Sequence, residues 1–329
     1  MTDRGVLLVL AAAVLTALAA ACLVGSTSLG VDRILAALAG GGSVGDRVVV
    51  WEIRLPRAVA ALVVGAALGA SGAALQGLLR NPLAEPGVLG VSAAAALGAT
   101  SVIYYGIASA GALALPMAAV AGALAATAVL TAAARRVGSV VTLILVGVGL
   151  SSFAGSLTAL LMNLAPHPFS LSDMLNWMLG TVANRSFDDL LPAAPFLVAG
   201  LAILFAGRRG LSALTLGEEG AAGVGVDLPR TRRLVVLGAG LATGAAVAIA
   251  GAIGFVGIVA PHLVRPLVNH DPARTLAPSA LLAGLILVLA DIGVRVAPTD
   301  AELKLGVVAA LLGAPVFIWI AARRRVTRG

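Results

Sequence analysis

The feature that most limits what this chain can fold into is a recurrence of long apolar runs separated by short clusters of Arg, Asp and Pro. A helix that crosses the hydrocarbon core of a bilayer needs about 20 predominantly apolar residues. Runs of that order fall near Gly5–Gly25, Ala58–Leu79, Val88–Ile107, Ala112–Ala134, Val137–Leu164, Leu190–Ala206, Leu234–Ile253, Gly254–Val268, Pro278–Val296 and Leu305–Ala322. They predict ten spans, with both termini on one side of the membrane. Between Leu234 and Leu263 there is no Asp, Glu, Lys or Arg, so that stretch reads either as one long tilted helix or as a full span followed by a short, broken one.

The remaining composition narrows the class. Of 329 residues, 60% are hydrophobic and 11% charged, and a soluble globule of that make-up would expose far too much apolar surface. Forty glycines with 4% aromatics suit helices packed through small residues and not a lipid-facing β-barrel with its aromatic girdles. The predicted fold is an all-α polytopic membrane protein, one transmembrane domain over residues 1–329 with no soluble domain. The net charge of +7 is scattered between apolar runs, which argues against a nucleic-acid surface. Sidedness accounts for it better. With the termini in the cytoplasm, fifteen Lys/Arg residues (Arg4, Arg80, Arg135, Arg136, Arg208, Arg209, Arg230, Arg232, Arg233, Arg265, Arg274, Arg323, Arg324, Arg325 and Arg328) lie inside and seven (Arg33, Arg47, Arg54, Arg57, Arg185, Arg295 and Lys304) outside, as the positive-inside rule favours. Cys22, the one cysteine, excludes an intrachain disulfide and reads as a packing residue in an uncleaved first anchor.

Two connections are long enough to carry function. The outer one, Pro166 to Asp189, reads as a short interfacial helix; the inner one, Arg208 to Arg233, as a small helical cytoplasmic element. Gly65-Ala66-Ala67 with Gly72-Ala73 recurs as Gly244-Ala245-Ala246 with Gly251-Ala252 at the same spacing, in segments that the topology runs in opposite directions. Inverted repeats of this kind build many transporter folds.

The most informative block is Trp51 to Ser92, in which Arg54 and Arg57 precede an apolar, small-residue helix ending in Arg80-Asn81-Pro82-Leu83-Ala84-Glu85-Pro86-Gly87. It resembles the FecCD-type family, the permease subunits of ABC importers for iron chelates, haem and cobalamin, whose signature joins an RLPR start to a QGLxRNPLAxPxxLG turn. Gly251 to Arg265 matches the family's GxIxFxGLxxPHxxR pattern, and Ala290-Asp291, Arg295, Gly306 and Gly313-Ala314-Pro315-Val316-Phe317 match its closing run. Lys304 stands where the family usually has proline. The likeness extends in order over nearly the whole chain.

The resemblance implies a permease in the cell (inner) membrane, working as a homodimer with two copies of an ABC ATPase and a substrate-binding protein, and moving an iron complex (ferric siderophore or haem) or cobalamin. Arg54, Arg57 and Arg295 would receive acidic residues of the binding protein, a task suited to the planar guanidinium; lipid phosphates are the alternative partners. A coupling element near residues 210–228 would rest on the ATPase through Leu216, Gly217, Glu218, Glu219, Ala221, Gly223 and Gly225. The fifth span would line the path through Gly147, Gly149, Ser151, Ser152, Ser156, Thr158 and Asn163, with Arg185 at the outer mouth. The inventory itself excludes an ATPase in this chain, because it contains no G-x-x-x-x-G-K-[ST] loop and its one lysine is Lys304. Neither a metal site nor a cofactor is expected: His262 and His270 lack a third close ligand, and His262 reads as ordering an inner helix end with Arg265. Asp291 reads as a structural partner of Arg295 one turn on. An ion-coupled secondary transporter or a channel is the alternative reading, disfavoured by the lack of carboxylates at the predicted midplane.

Overall fold

The computed structural model describes residues 3–25, 27–107, 111, 113–136, 140–298 and 302–326. In chain order its α-helices are α1 (Asp3–Leu23), α2 (Val31–Leu38), α3 (Val44–Arg47), α4 (Leu55–Leu78), α5 (Val91–Tyr104), α6 (Ala114–Arg136), α7 (Val140–Asn163), α8 (Pro168–Met178), α9 (Phe187–Leu190), α10 (Ala194–Ala206), α11 (Arg208–Ala213), α12 (Gly217–Gly223), α13 (Leu228–Ala250), α14 (Val256–Val264), α15 (Pro272–Val296) and α16 (Leu305–Val326). Among the described residues there is no strand. Each predicted apolar segment is occupied by a helix, namely α1, α4, α5, α6, α7, α10, α13, α14, α15 and α16. The predicted starts at Ala112 and Val137, and Arg328 of the inner set, lie outside the described residues.

Among the described residues six helical stretches are long and apolar enough to cross a membrane unaided: those of α1, α6, α7, α13 and α15, and the stretch Val44–Leu78. The last corrects the sequence reading, which began the second span at Ala58. A π-helical turn, Val48–Arg54, joins α3 to α4, and Pro56, which has no N–H to donate, comes in the first turn after it. Arg54 and Arg57 therefore stand within a continuous helix and not in a lead-in to one. The remaining apolar helices are shorter (α5, α14 and the described part of α16) or bent, α10 meeting α11–α12 at 43°.

Residues 234–263 follow the broken alternative. α13 ends at Ala250, where Gly251 takes φ +72; the chain is non-helical through Gly254, and Phe255 at φ +66 opens α14. Capping carboxylates set the starts of α13 and α15: Asp227 accepts the Arg230 N–H before α13, and Asp271 accepts those of Ala273 and Arg274 before α15, each with proline in the first turn.

α4 and α13 are the central helices, buried over most of their length, whereas α1 and α7 stand at the periphery. α4 packs on α15, α13 and α14; α13 also packs on α6 and α10; α5 lies between α6 and α7. Small residues make this possible. A Cβ on Gly72 of α4 would lie 1.9 Å from the carbonyl oxygen of Gly257 in α14, so two backbones touch there as in the close crossings of membrane helices. The repeated Gly-Ala pattern falls on α4 and α13, which pack together, but Gly72 is mid-helix while Gly251 turns the chain out of one.

Candidate functional site

The three arginines predicted to lie outside, Arg54, Arg57 and Arg295, gather where the end of α1 meets the start of α4 and the end of α15. Their roles differ. Arg54 is 3% exposed, and its Nη1 donates to the carbonyls of Cys22 (2.7 Å) and Leu23 (3.0 Å) while Nη2 donates to that of Thr27. Arg295 donates through Nη1 to Ala21 (2.9 Å) and Val24 (3.1 Å). Both guanidinium groups thus satisfy the open carbonyl end of α1, where positive charge also complements the helix dipole. Arg295 forks its Nε (2.9 Å) and Nη2 (2.6 Å) onto Asp291, the pair expected from their spacing. Arg57 binds the other oxygen of Asp291 at 2.8 Å and pairs with Glu302. With its side chain 13% exposed against 1% for Asp291, Arg57 faces a cleft of about 340 Å³ whose walls include Arg54, Arg295 and Glu302.

The residues predicted to line the path divide between two sides of α7. Gly147 meets Gly90, Ser151 donates to the Gly87 carbonyl at 3.2 Å, and Thr158 is buried and bonded to the Ala154 carbonyl at 2.9 Å. These three pack inside the chain. Gly149, Ser152, Ser156 and Asn163 are exposed on the other side, and a Cβ on Gly149 would meet nothing within 4 Å. That side also carries Val148, Phe153 and Leu160. Arg185 lies apart, in the connection between α8 and α9, with its Nε buried and without a hydrogen-bond partner among the described residues. Burial pulls its guanidinium down from the ordinary value and Asp189 opposes the shift.

The inner connection folds as α11, a 3₁₀ turn Leu214–Leu216, and α12. Glu218 and Glu219 occupy the first turn of α12; Glu218 is held by Arg232 at 2.7 Å, while Glu219, Leu216, Gly223 and Gly225 are exposed. Ala221 turns inward and is fully buried. Gly217 (φ +85) and Gly225 (φ +81) turn the corners at the two ends, and nothing in this chain approaches a Cβ placed on Gly223. The tip is a small, open knob with Leu216 and Val224 as its exposed apolar side chains.

One residue escaped the sequence reading. Glu85, in the connection from α4 to α5, accepts the N–H of Phe255 (3.3 Å) at the start of α14. Burial pushes its carboxyl above the ordinary value, and the Phe255 N–H draws it partly back. Gln76 of α4 ties the same helix down: its Nε2 donates to Gly257 at 3.3 Å and its Oε1 accepts from Arg265. The signal available beforehand was the proline-flanked Ala84-Glu85-Pro86, which marks a turn without telling what it turns toward.

The FecCD transport family matches residues 9–323. An uncharacterized ABC transporter permease protein, YvrB, of Bacillus subtilis is 40% identical over 294 residues, covering 86% of this chain and 83% of its own. The cobalamin import system permease protein BtuC of Halobacterium salinarum is 40% identical over 282 residues, 85% and 75% of the two chains. The vitamin B12 import system permease protein BtuC of Salmonella paratyphi A is 42% identical over 275 residues, 82% of each. A solved structure described as an inward-facing metal-chelate type ABC transporter superposes with a TM-score of 0.85 at 29% identity, over 98% of this chain and 99% of that one.

Proposed function

The chain belongs to the FecCD transport family, and from that premise we propose that it is the membrane-spanning permease of an ATP-driven importer carrying a metal chelate (ferric siderophore or haem) or cobalamin into the cytoplasm. The observation that carries this reading is the unbroken family match from residue 9 to 323. With no phosphate loop in the chain, ATP hydrolysis falls to a separate subunit, two copies for a homodimer. The open knob at Leu216, Glu219 and Gly223 is the natural contact for that subunit, since small residues let a partner's backbone come close.

The exposed side of α7, with Gly149, Ser152, Ser156 and Asn163, is proposed as the wall of a path between two copies. Weakly polar groups there would let a bulky amphiphilic cargo pass without holding it. Binding-protein docking is assigned to the outer cleft, with Arg57 as the receiving cation and Arg54 and Arg295 as the groups that fix its surroundings. Both termini then face the cytoplasm, in keeping with the fifteen-to-seven split of basic residues. A secondary carrier is the weaker reading because Asp291, the carboxylate within α15, is held by two arginines. The test is reconstitution in vesicles: the chain alone should hydrolyse no ATP, and cargo uptake should appear only when the ATPase and a loaded binding protein are added. Uptake driven by an ion gradient without ATP would overturn the assignment.

A further inference from the structure

A second basic cleft, of about 460 Å³, opens where α1, α10, α11 and α15 come together. Arg208 and Arg209 of α11 and Arg274 of α15 supply its charge. Arg208 and Arg209 are exposed, and among the described residues neither has a carboxylate within ion-pairing distance, while Arg274 holds Asp3 and Asp271 at 3.3 and 3.7 Å. Asp271 is engaged elsewhere, capping α15 through the N–H groups of Ala273 and Arg274 and accepting from Ser212 at 2.9 Å. One wall of the cleft is apolar, formed by Leu7, Phe205 and Pro278. Beside Leu7 the outer side of α1 presents Leu8 (71% exposed) and Val9 (59%), the face a membrane helix turns to lipid.

Guanidinium groups above an apolar wall, at the ends of three membrane helices, match one chemistry: a phosphodiester whose acyl chains continue down the wall. From this arrangement we infer that the cleft binds the headgroup of an anionic phospholipid. Guanidinium forks recognise phosphate oxygens in pairs, and basic pockets between span ends on the cytoplasmic side hold such headgroups. Arg208 and Arg209 belong to α11, which leads through one 3₁₀ turn into α12. A bound lipid would therefore brace the base of the inner knob against the membrane. The sidedness is that of the proposed function, but the lipid contact stands without it.

The full chain in nanodiscs of mixed phosphatidylcholine and phosphatidylglycerol, doped with a trace of either spin-labelled lipid, tests this directly. Nanodiscs present both leaflets, so the result does not depend on which way the chain inserts. The protein should restrict phosphatidylglycerol in preference to phosphatidylcholine, with the preference falling roughly fivefold for each arginine removed in Arg208→Gln, Arg209→Gln and Arg274→Gln, and unchanged in Arg80→Gln. Equal restriction of the two lipids by the wild type, or a preference surviving in the triple variant, overturns the inference. Abolition of the preference by excess inorganic phosphate makes the cleft a free-anion site and overturns the lipid assignment. Should the triple variant fail to fold, native mass spectrometry of the wild type decides, and phosphatidylglycerol retained no better than phosphatidylcholine refutes the site.

Discussion

Arginine where the end of α1 meets α4 and α15 serves two purposes that the sequence does not separate. Arg54 and Arg295 close the carbonyl end of α1, while Arg57 is shared between a buried carboxylate, Asp291, and an exposed one, Glu302. If a binding protein delivers an acidic residue to Arg57, Glu302 competes with it. Glu302→Gln should then tighten docking by about two- to fivefold, the worth of an exposed charge pair, with the gain shrinking as salt is raised. Unchanged affinity at low salt, measured by surface plasmon resonance, would take Arg57 out of the interface. Glu85 gives a pH prediction. Its carboxyl is raised in the folded protein, so its contribution to stability is full below the unfolded value of about 4.3 and is lost as pH rises through the folded one. Glu85→Gln removes that loss and keeps an oxygen for the Phe255 N–H. The variant's Tm should exceed that of wild type at pH 7.5, and the gap should close in acid; equal values at both pH would mean that the carboxylate is compensated where it stands.

At the level of elements, the same residue type has opposite tolerances. Gly72 is where α4 touches α14, and the missing Cβ leaves room for the Gly257 carbonyl. Gly72→Ala should cost about 2 kcal/mol or more by overpacking, seen as a lower Tm and loss of monodisperse protein in size-exclusion chromatography; wild-type behaviour would mean that α14 can shift freely. Gly223 borders open space. Gly223→Leu should leave Tm unchanged yet reduce ATP-driven uptake severalfold, because the obstruction appears only when the ATPase docks. Full uptake would move the coupling contact off the knob. Short α14 rests on three ties to its neighbours, from Glu85, Gln76 and Gly72, which is how a helix too short to span alone keeps a fixed position.

For the molecule as a whole, the core lies around α4 and α13 while most of α7 remains uncovered. The proposed homodimer would set the surface that combines Gly149, Ser152, Ser156 and Asn163 with Phe153 and Leu160 against a second copy of the chain. With Cys22 replaced by serine, Ser156→Cys should yield a disulfide-linked pair of chains on mild oxidation in the membrane, read on a non-reducing gel. A cysteine at Thr158, buried on the opposite side, should not. Crosslinking of neither, with both accessible to lipid-soluble thiol reagents, would place that side against the bilayer.

Period and punctuation made much of this legible beforehand. Apolar runs located the ten apolar helices among the described residues, and the Asp291–Arg295 pair followed from one turn of spacing, because each of these is decided within a few residues of chain. The starts of α13 and α15, at Leu228 and Pro272, lie six residues ahead of the predicted Leu234 and Pro278 because Asp227 and Asp271 cap polar first turns that an apolar run does not include. Contacts distant in sequence were not legible. Arg54 stands with Arg57 and Arg295 among the residues expected to receive a binding protein's carboxylates, yet it is buried, with its donors taken by carbonyls about thirty residues earlier in the chain. Gly147, Ser151 and Thr158 share a helix with Gly149, Ser152 and Ser156, and in a helix apolar or small all round no local pattern says which side is covered. That choice was made by the connection from α4 to α5, which folds back so that Gly90 and Gly87 reach α7. In a membrane chain the sequence by itself determines which segments leave water, because transfer to lipid depends on local composition; which faces meet is determined by close fit between small residues and by polar groups seeking partners, and these exist only once the helices have assembled.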